Sequence, residues 1–345
     1  MTQAKTSVPV SLVVMAAGKG TRMKSELPKV LHRIAGRAML SHVLDTVEQL
    51  PTPDQGLALQ GVVVITGHGA EAVEAHLAGH ALANHGQLKF ARQMPQLGTG
   101  HAVQQAVPHL PDDGVVVILN GDVPLIEADT VQALVQASAG QKLALLTIKL
   151  DDPTGYGRIL RQSGDPDGSV LAIVEHKDAT PEQRAITEIY TGIMAAPAKW
   201  LKKALSQLNN HNSQGEYYLT DIVATAVADG VPVVGQLTTD EVQVAGVNSP
   251  VQLAELERAF QRRQALNFMN AGVRLADPAR FDVRGDLQCG TDVEIDVNCI
   301  FDGQVRLGNR VRIGANCCIA NVQIGDDAVI CLLYTSPSPR DGLLS

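Results

Sequence analysis

The chain has 345 residues, of which 45% are apolar, 19% charged and only 3% aromatic, with a formal net charge of −8. That balance is globular, and it argues against a base-stacking single-strand binder and against a protein that coats a phosphate backbone, so no nucleic-acid partner is expected. No apolar run nears the roughly 18 residues of a membrane span, "MTQAKTSVPVS" lacks the apolar core of a secretory signal, and Cys289, Cys299, Cys317, Cys318 and Cys331 show no CxxC spacing; a cytoplasmic chain of about two domains is expected, with no membrane partner.

In chain order, short β-branched runs alternate with amphipathic stretches. Strands are predicted over residues 12–15, 62–66, 115–119, 143–149, 170–174 and 189–194, and helices over 39–50, 70–77 and 100–107. The alternation predicts an α/β fold: a Rossmann-like domain over residues 8–249 whose mostly parallel sheet is covered on both faces. Ligands of such sheets sit at the carboxyl ends of strands, which singles out the loops after Met15, Thr66 and Leu119.

The first of those loops reads "MAAGKGTRMKSELPKVL". A dinucleotide fingerprint needs a third glycine where Met23 stands and an acidic residue closing a second strand, and neither is clear. The G-x-x-x-x-G-K-[ST] spacing is missing as well. A phosphate cradle remains. The small residues from Ala16 to Thr21 let backbone N–H groups approach a nucleotide, and Arg22 and Lys29 add fixed positive charge, with Pro28 stiffening the backbone beside Lys29. His68 and His101 are assigned to packing or capping.

A second rhythm starts near Asp282. Apolar residues recur every six positions at Ile295, Phe301, Leu307, Ile313 and Ile319, then after five at Ile324 and after six at Ile330. Asp296, Asp302, Gly308, Gly314 and Gly325 follow them and are expected at tight corners. This period predicts the start of a left-handed parallel β-helix of hexapeptides over residues 273–330, joined to the first domain by a helical linker over 250–272. Residues 331–345, "CLLYTSPSPRDGLLS", lose the period and are expected to be a non-native tail.

"MAAGKGTRMKSELPKVL" resembles the G-x-G-T-R-M…P-K signature of sugar-nucleotide pyrophosphorylases, and "QLGTGHA", "NGDVPLI", "DDPTGYGRI", "VEHKDAT", "QGEYYLTD" and "GVN" follow in order. With the hexads, residues 8–330 are similar to the bifunctional N-acetylglucosamine-1-phosphate uridylyltransferase/glucosamine-1-phosphate acetyltransferase family. The resemblance implies magnesium-dependent joining of UTP and N-acetylglucosamine 1-phosphate into UDP-N-acetylglucosamine and pyrophosphate, a supply line for cell-wall precursors. It implies that Met15, Ala16, Ala17 and Gly18 line the uridine, that Gln93, Gly98 and Thr99 read the uracil edge, and that Arg22 and Lys29 hold phosphates as the catalytic charges. Asn120, Gly121 and Asp122 fall in the "NGD" segment. Asp122, which closes an apolar strand, and Asn248 are the implied Mg²⁺ ligands, hard oxygen donors of the kind that ion prefers.

On the sugar side the implied residues are Gly157, Glu175 and Tyr190. Tyr190 departs from the family, which commonly has an asparagine there, and a phenol is a longer and stiffer hydrogen-bonding arm. The resemblance also implies a homotrimer built through the β-helix. It places the acetyl-transfer residues beyond Ile330, where the likeness stops, so no acetyl transfer is expected of this chain. The alternatives kept open are a pyrophosphorylase for another sugar 1-phosphate and a non-catalytic trimerisation scaffold.

Overall fold

A computed structural model describes residues 7–52, 56–162 and 168–331 of the chain. The expected tail lies outside these residues except for Cys331. The chain divides into two units. One comprises Met1–His32 and Met39–Ser249, the other Arg33–Ala38 and Pro250–Ser345. The six residues Arg33–Ala38, which the sequence leaves inside the first segment, therefore belong with the second unit.

The strands in chain order are β1 (Val8–Met15), the two-residue pair β2 (Arg33–Ile34) and β3 (Arg37–Ala38), β4 (Leu57–Thr66), β5 (Leu88–Arg92), β6 (Val115–Asn120), β7 (Leu143–Lys149), β8 (Arg158–Arg161), β9 (Val170–Val174), β10 (Glu188–Pro197) and β11 (Val233–Leu237). In the first unit the sheet runs β11-β7-β10-β6-β1-β4-β5, with β8 and β9 attached through β10. β1 lies inside the sheet, parallel to β4 (Leu12 opposite Val62) and to β6 (Leu12 opposite Val117). β10 enters antiparallel between β6 and β7.

Burial explains why β1, β4 and β6 read as unbroken apolar runs. Val13, Val63, Ile65, Val116 and Ile118 pack in one cluster with the helices Thr99–Ala106, Ala198–Ser206 and Ile222–Ala228. Their neighbours of opposite parity, Leu12, Val14, Val62, Val64, Val117 and Leu119, are equally buried. A strand covered on both faces has no solvent side on which to place polar residues. The ends of the three strands are then stitched together: the Ala16 N–H donates to the Ile65 C=O at 2.9 Å and the Gly121 N–H to the Met15 C=O at 2.9 Å.

The second unit contains the helix Pro250–Asn270 and the strands β12 (Arg274–Leu275), β13 (Phe281–Cys289), β14 (Glu294–Ile295), β15 (Cys299–Leu307), β16 (Arg312–Ile313), β17 (Cys318–Ile324) and β18 (Val329–Ile330). They form two parallel ladders, β12-β14-β16-β18 and β13-β15-β17. After the first rung, where Arg274 pairs with Glu294, partners lie 18 residues apart, as in Phe281 with Cys299 and Glu294 with Arg312, so three hexads make one coil. The step of five shows as a slip to 17, Val305 with Val322 and Arg312 with Val329, and the ladder is irregular between Asp302 and Val305. Phe281, Val283, Val293, Ile295, Phe301, Leu307, Ile313 and Ile319 fill the interior. Gln261 of the helix bonds the Val283 N–H and C=O at 2.8 and 2.9 Å, and so gives the edge of β13 a partner.

Asp296, Gly308, Gly314 and Gly325 open the corners, each directly before a two-residue turn, but do not take the left-handed positions themselves. Left-handed backbone occurs at Asp292, Asn298, Arg310, Asn316 and Asp327, and at Gly303 and Asn321. Asp296, Gly308, Gly314 and Gly325 come two residues before such positions, and Asp302 one before. The residue after each apolar position is still part of the ladder: the Asp296, Gly308 and Gly314 N–H groups donate to Ile313, Ile324 and Ile330. Gly308 answers to crowding instead, because a Cβ there would lie 2.4 Å from Asp326 Oδ1 and 2.7 Å from the Asp326 nitrogen.

Candidate active site

A cleft of about 540 Å³ opens over the carboxyl ends of β1 and β6. Its floor is the loop that follows β1. Ala16 and Ala17 are buried, Gly20 adopts a left-handed conformation, and a single helical turn, Thr21–Met23, anchors the loop by burying Met23. Of the residues expected there, Met15, Ala16, Ala17, Gly18, Lys29, Gln93, Gly98, Thr99, Asn120 and Asp122 line the cleft. Lys19, part of the expected cradle, also lines it, as do Gln96 and Glu216, to which the sequence assigns no role. Gln96 bonds the Ala17 carbonyl and braces the loop from across the cleft.

Gln93 follows β5, its N–H on the Thr66 carbonyl at 2.8 Å. Its Nε2 donates to the Gly98 carbonyl at 2.8 Å and lies 3.2 Å from His101 Nδ1. Gly98 sits at φ +108°, and the Tyr217 backbone pins the loop around it: the Tyr217 N–H donates to Leu97 at 2.8 Å and the Gly100 N–H to Tyr217 at 2.7 Å. Thr99 Oγ1 accepts from the Leu219 N–H at 3.0 Å.

Three residues far apart in the chain converge at Lys29, which with Asp122 lines the cleft. The Lys29 ammonium pairs with Asp122 Oδ2 and donates to Asn248 Oδ1 at 3.1 Å, across 93 and 219 residues. The Val247 N–H on the Asp122 carbonyl, at 2.9 Å, brings the two segments side by side. A carboxylate oxygen and a carboxamide oxygen thus face one cation. That donor pair fits a hard divalent ion which takes one or two protein oxygens and completes its shell with phosphate and water. Among the described residues no cluster of three or more His, Cys, Asp or Glu offers a closed metal cage. Arg22 is exposed on the helical turn, beside the cleft residue Thr21 but not itself in the lining.

Gly157, Glu175 and Tyr190 form a separate group off this cleft. Tyr190 bonds the Gly157 carbonyl through its N–H at 2.9 Å. A Cβ on Gly157 would lie 2.7 Å from Ile173 and 3.7 Å from both Glu175 oxygens. Thr220 Oγ1 donates to Glu175 at 3.0 Å, and burial pushes the Glu175 carboxyl above its usual range. The Tyr190 ring is packed in the apolar cluster rather than in the cleft, and its hydroxyl has no partner among the described residues. Burial, and then the Glu175 charge, raise that phenol well above its ordinary value. The reason is its strand position: on β10 it stands opposite Thr147, under the helices that cover that face.

The MobA-like NTP transferase domain family matches residues 12–216. The chain is 63% identical over 322 residues to "Bifunctional protein GlmU" of Albidiferax ferrireducens, covering 93% of this chain and 67% of that protein. It is 61% identical over 321 residues to the protein of that name from Methylibium petroleiphilum, covering 93% and 68%. The fold is also that of a solved UDP-glucose pyrophosphorylase complexed with UDP-glucose, with a TM-score of 0.57 at 15% identity over 73% of this chain and 98% of that one.

Proposed function

The chain belongs to the GlmU family of nucleotidyltransferases, and from that premise we propose that its first unit transfers UMP from UTP to N-acetylglucosamine 1-phosphate, releasing pyrophosphate. The observation that carries this reading is that Lys29 and Asp122 meet in the lining of a glycine-loop cleft with Asn248 bonded to the same ammonium. A phosphate oxygen of the sugar phosphate attacks the α-phosphorus of UTP and forms the new P–O bond. The bond to the β-phosphate bridging oxygen breaks, and pyrophosphate leaves in line. No protein nucleophile is required.

The loop backbone from Met15 to Gly18 takes the uridine side, with Gln93, Gly98 and Thr99 at the base, while Arg22 and Lys29 take the phosphates. Asp122 and Asn248 would hold Mg²⁺, which when bound supplies further charge neutralisation on the polyphosphate. The Lys29 ammonium, held in the described state by those same two oxygens, is then available to the phosphates. Asn120 and Gly121 lie at the strand end between base and metal sides, and Gly157 and Glu175 are assigned to the sugar. The work of the site is positioning and fixed charge. Pyrophosphate release measured over a panel of nucleoside triphosphates and sugar 1-phosphates tests this. UTP with N-acetylglucosamine 1-phosphate should be the best pair, and EDTA should abolish turnover. Equal rates with unrelated pairs, or turnover indifferent to EDTA, would overturn it.

A further inference from the structure

We infer that His101 is a positioning residue for base choice: it fixes which end of the Gln93 carboxamide faces the nucleotide and thereby favours uracil over cytosine. The inference rests on the uridylyltransferase reading of the cleft. A carboxamide presents a donor at one end and an acceptor at the other, and the two ends have nearly the same shape. At Gln93 the surroundings break that tie twice. The Gly98 carbonyl, 2.8 Å from Nε2, can only accept, so the nitrogen must be on that side. The second Nε2 hydrogen points to His101 Nδ1 at 3.2 Å, which can receive it only when the imidazole proton is on Nε2.

With both N–H bonds used and no described residue bonded to Oε1, the oxygen is the atom that Gln93 offers to the cleft it lines. An oxygen there accepts from the N3–H of uracil. Cytosine presents a lone pair at N3, and the two acceptors would repel. A site whose buried polar groups are left unpaired by the wrong ligand discriminates strongly. His101 itself is held for this task. Its ring lies 6.2 Å from that of Tyr217 at a tilt of 37°, and Tyr217 is the residue whose backbone pins the loop around Gly98. Without the histidine acceptor one of the two bonds that orient the amide is gone, and the Nε2 hydrogen it received must find water or the cleft.

The test compares His101→Phe, which keeps an aromatic ring against Tyr217 but has no acceptor, with His101→Asn, whose side-chain oxygen can replace Nδ1. The readout is the ratio of kcat/KM for UTP to that for CTP, a quantity that a loss of global stability does not move. His101→Phe should lower the ratio by about tenfold, the scale of one hydrogen bond in a base-reading site, with KM for the sugar phosphate unchanged. His101→Asn should keep the ratio within about twofold, on the same scale. A ratio unchanged in His101→Phe, or lost equally in both variants, overturns the inference. Should His101→Phe fail to fold, long-range ¹H–¹⁵N correlation on the unmutated protein reads the tautomer directly. A proton on Nε2 supports the assignment, and a proton on Nδ1 overturns it. An unmutated protein that fails to turn over UTP refutes the uridylyltransferase reading and this inference together. One that prefers UTP over CTP equally well with and without His101 refutes the inference alone.

Discussion

Gly98→Ala is the substitution whose cost can be worked most directly from the backbone. At φ +108° and ψ 174° the residue occupies a region open in practice to glycine alone, worth about 1–3 kcal/mol of strain for alanine. The added Cβ would also stand 2.6 Å from the Tyr217 carbonyl oxygen and 2.9 Å from both the Tyr217 nitrogen and Glu216 Cβ. These are largely backbone atoms, so no rotamer change relieves the overlap, and the Tyr217 loop segment must retreat. Retreat stretches the Leu97–Tyr217 and Gly100–Tyr217 bonds, at about 1 kcal/mol each. The total, roughly 3–5 kcal/mol, corresponds to a fall in Tm of about 6–20 °C for a unit of this size. Calorimetry of the full chain reads the first unit's transition, and initial-rate kinetics read KM for UTP, which should rise with it. A variant whose Tm stays within about 2 °C, the scale of a fraction of a kcal/mol, and whose KM for UTP is unchanged would show that the loop around Gly98 is not fixed by these contacts.

Arg22→Ala should lower kcat by about a hundredfold or more, as loss of a transition-state charge partner does; activity within twofold of the parent removes Arg22 from the chemistry. Lys29→Met should tighten Mg²⁺ binding to the nucleotide-free protein, because the ammonium and the ion share Asp122 and Asn248, yet slow turnover; weaker binding by isothermal titration would show that the two do not compete. Glu175, raised by burial, is better protonated in the fold than in the unfolded chain, so the stability it contributes is present below the unfolded carboxylate value and is lost as pH rises through the folded one. The Tm of Glu175→Gln relative to the parent should accordingly climb between pH 4 and pH 7, and a flat or falling difference contradicts the assignment. Phe301→Ala, at a side chain 1% exposed with its ring 5.7 Å from Phe281, should cost the second unit about 3–5 kcal/mol in denaturant unfolding, and a loss below about 1 kcal/mol means that the coil interior is not what holds it.

The sequence announces what is buried on two faces and what repeats. β1, β6 and β7 are legible as apolar runs for the first reason, and the six-residue step for the second. β5, "LKFAR", is an edge strand in which Ala91 alone is buried and the rest are half-buried or exposed, and β11, "VVGQL", carries a glycine; neither rises above the surrounding pattern. The antiparallel entry of β10 is equally silent, because strand direction depends on how the preceding hairpin β8–β9 folds back and not on composition. Tyr190 shows the limit at the level of one side chain. Its place in a motif points to the ligand, but strand parity turns it into the core.

The active-site residues divide along a similar line. Those contiguous with the glycine loop could be named from one short stretch, since the loop's own sequence dictates that its backbone stays open. Lys29, Asp122 and Asn248 could be nominated singly, but that they act as one unit depends on contacts across 93 and 219 residues, which no local pattern encodes. His101 is the sharpest case. Read alone, a histidine in the first turn of a helix is a packing or capping residue, and it does pack, on Tyr217. Its chemistry appears only when the Gln93 amide is found to need two acceptors, one of them a carbonyl that admits a single orientation. A polar side chain that lines a cleft therefore has to be read together with the atoms behind it, because those atoms determine which of its two faces the ligand meets.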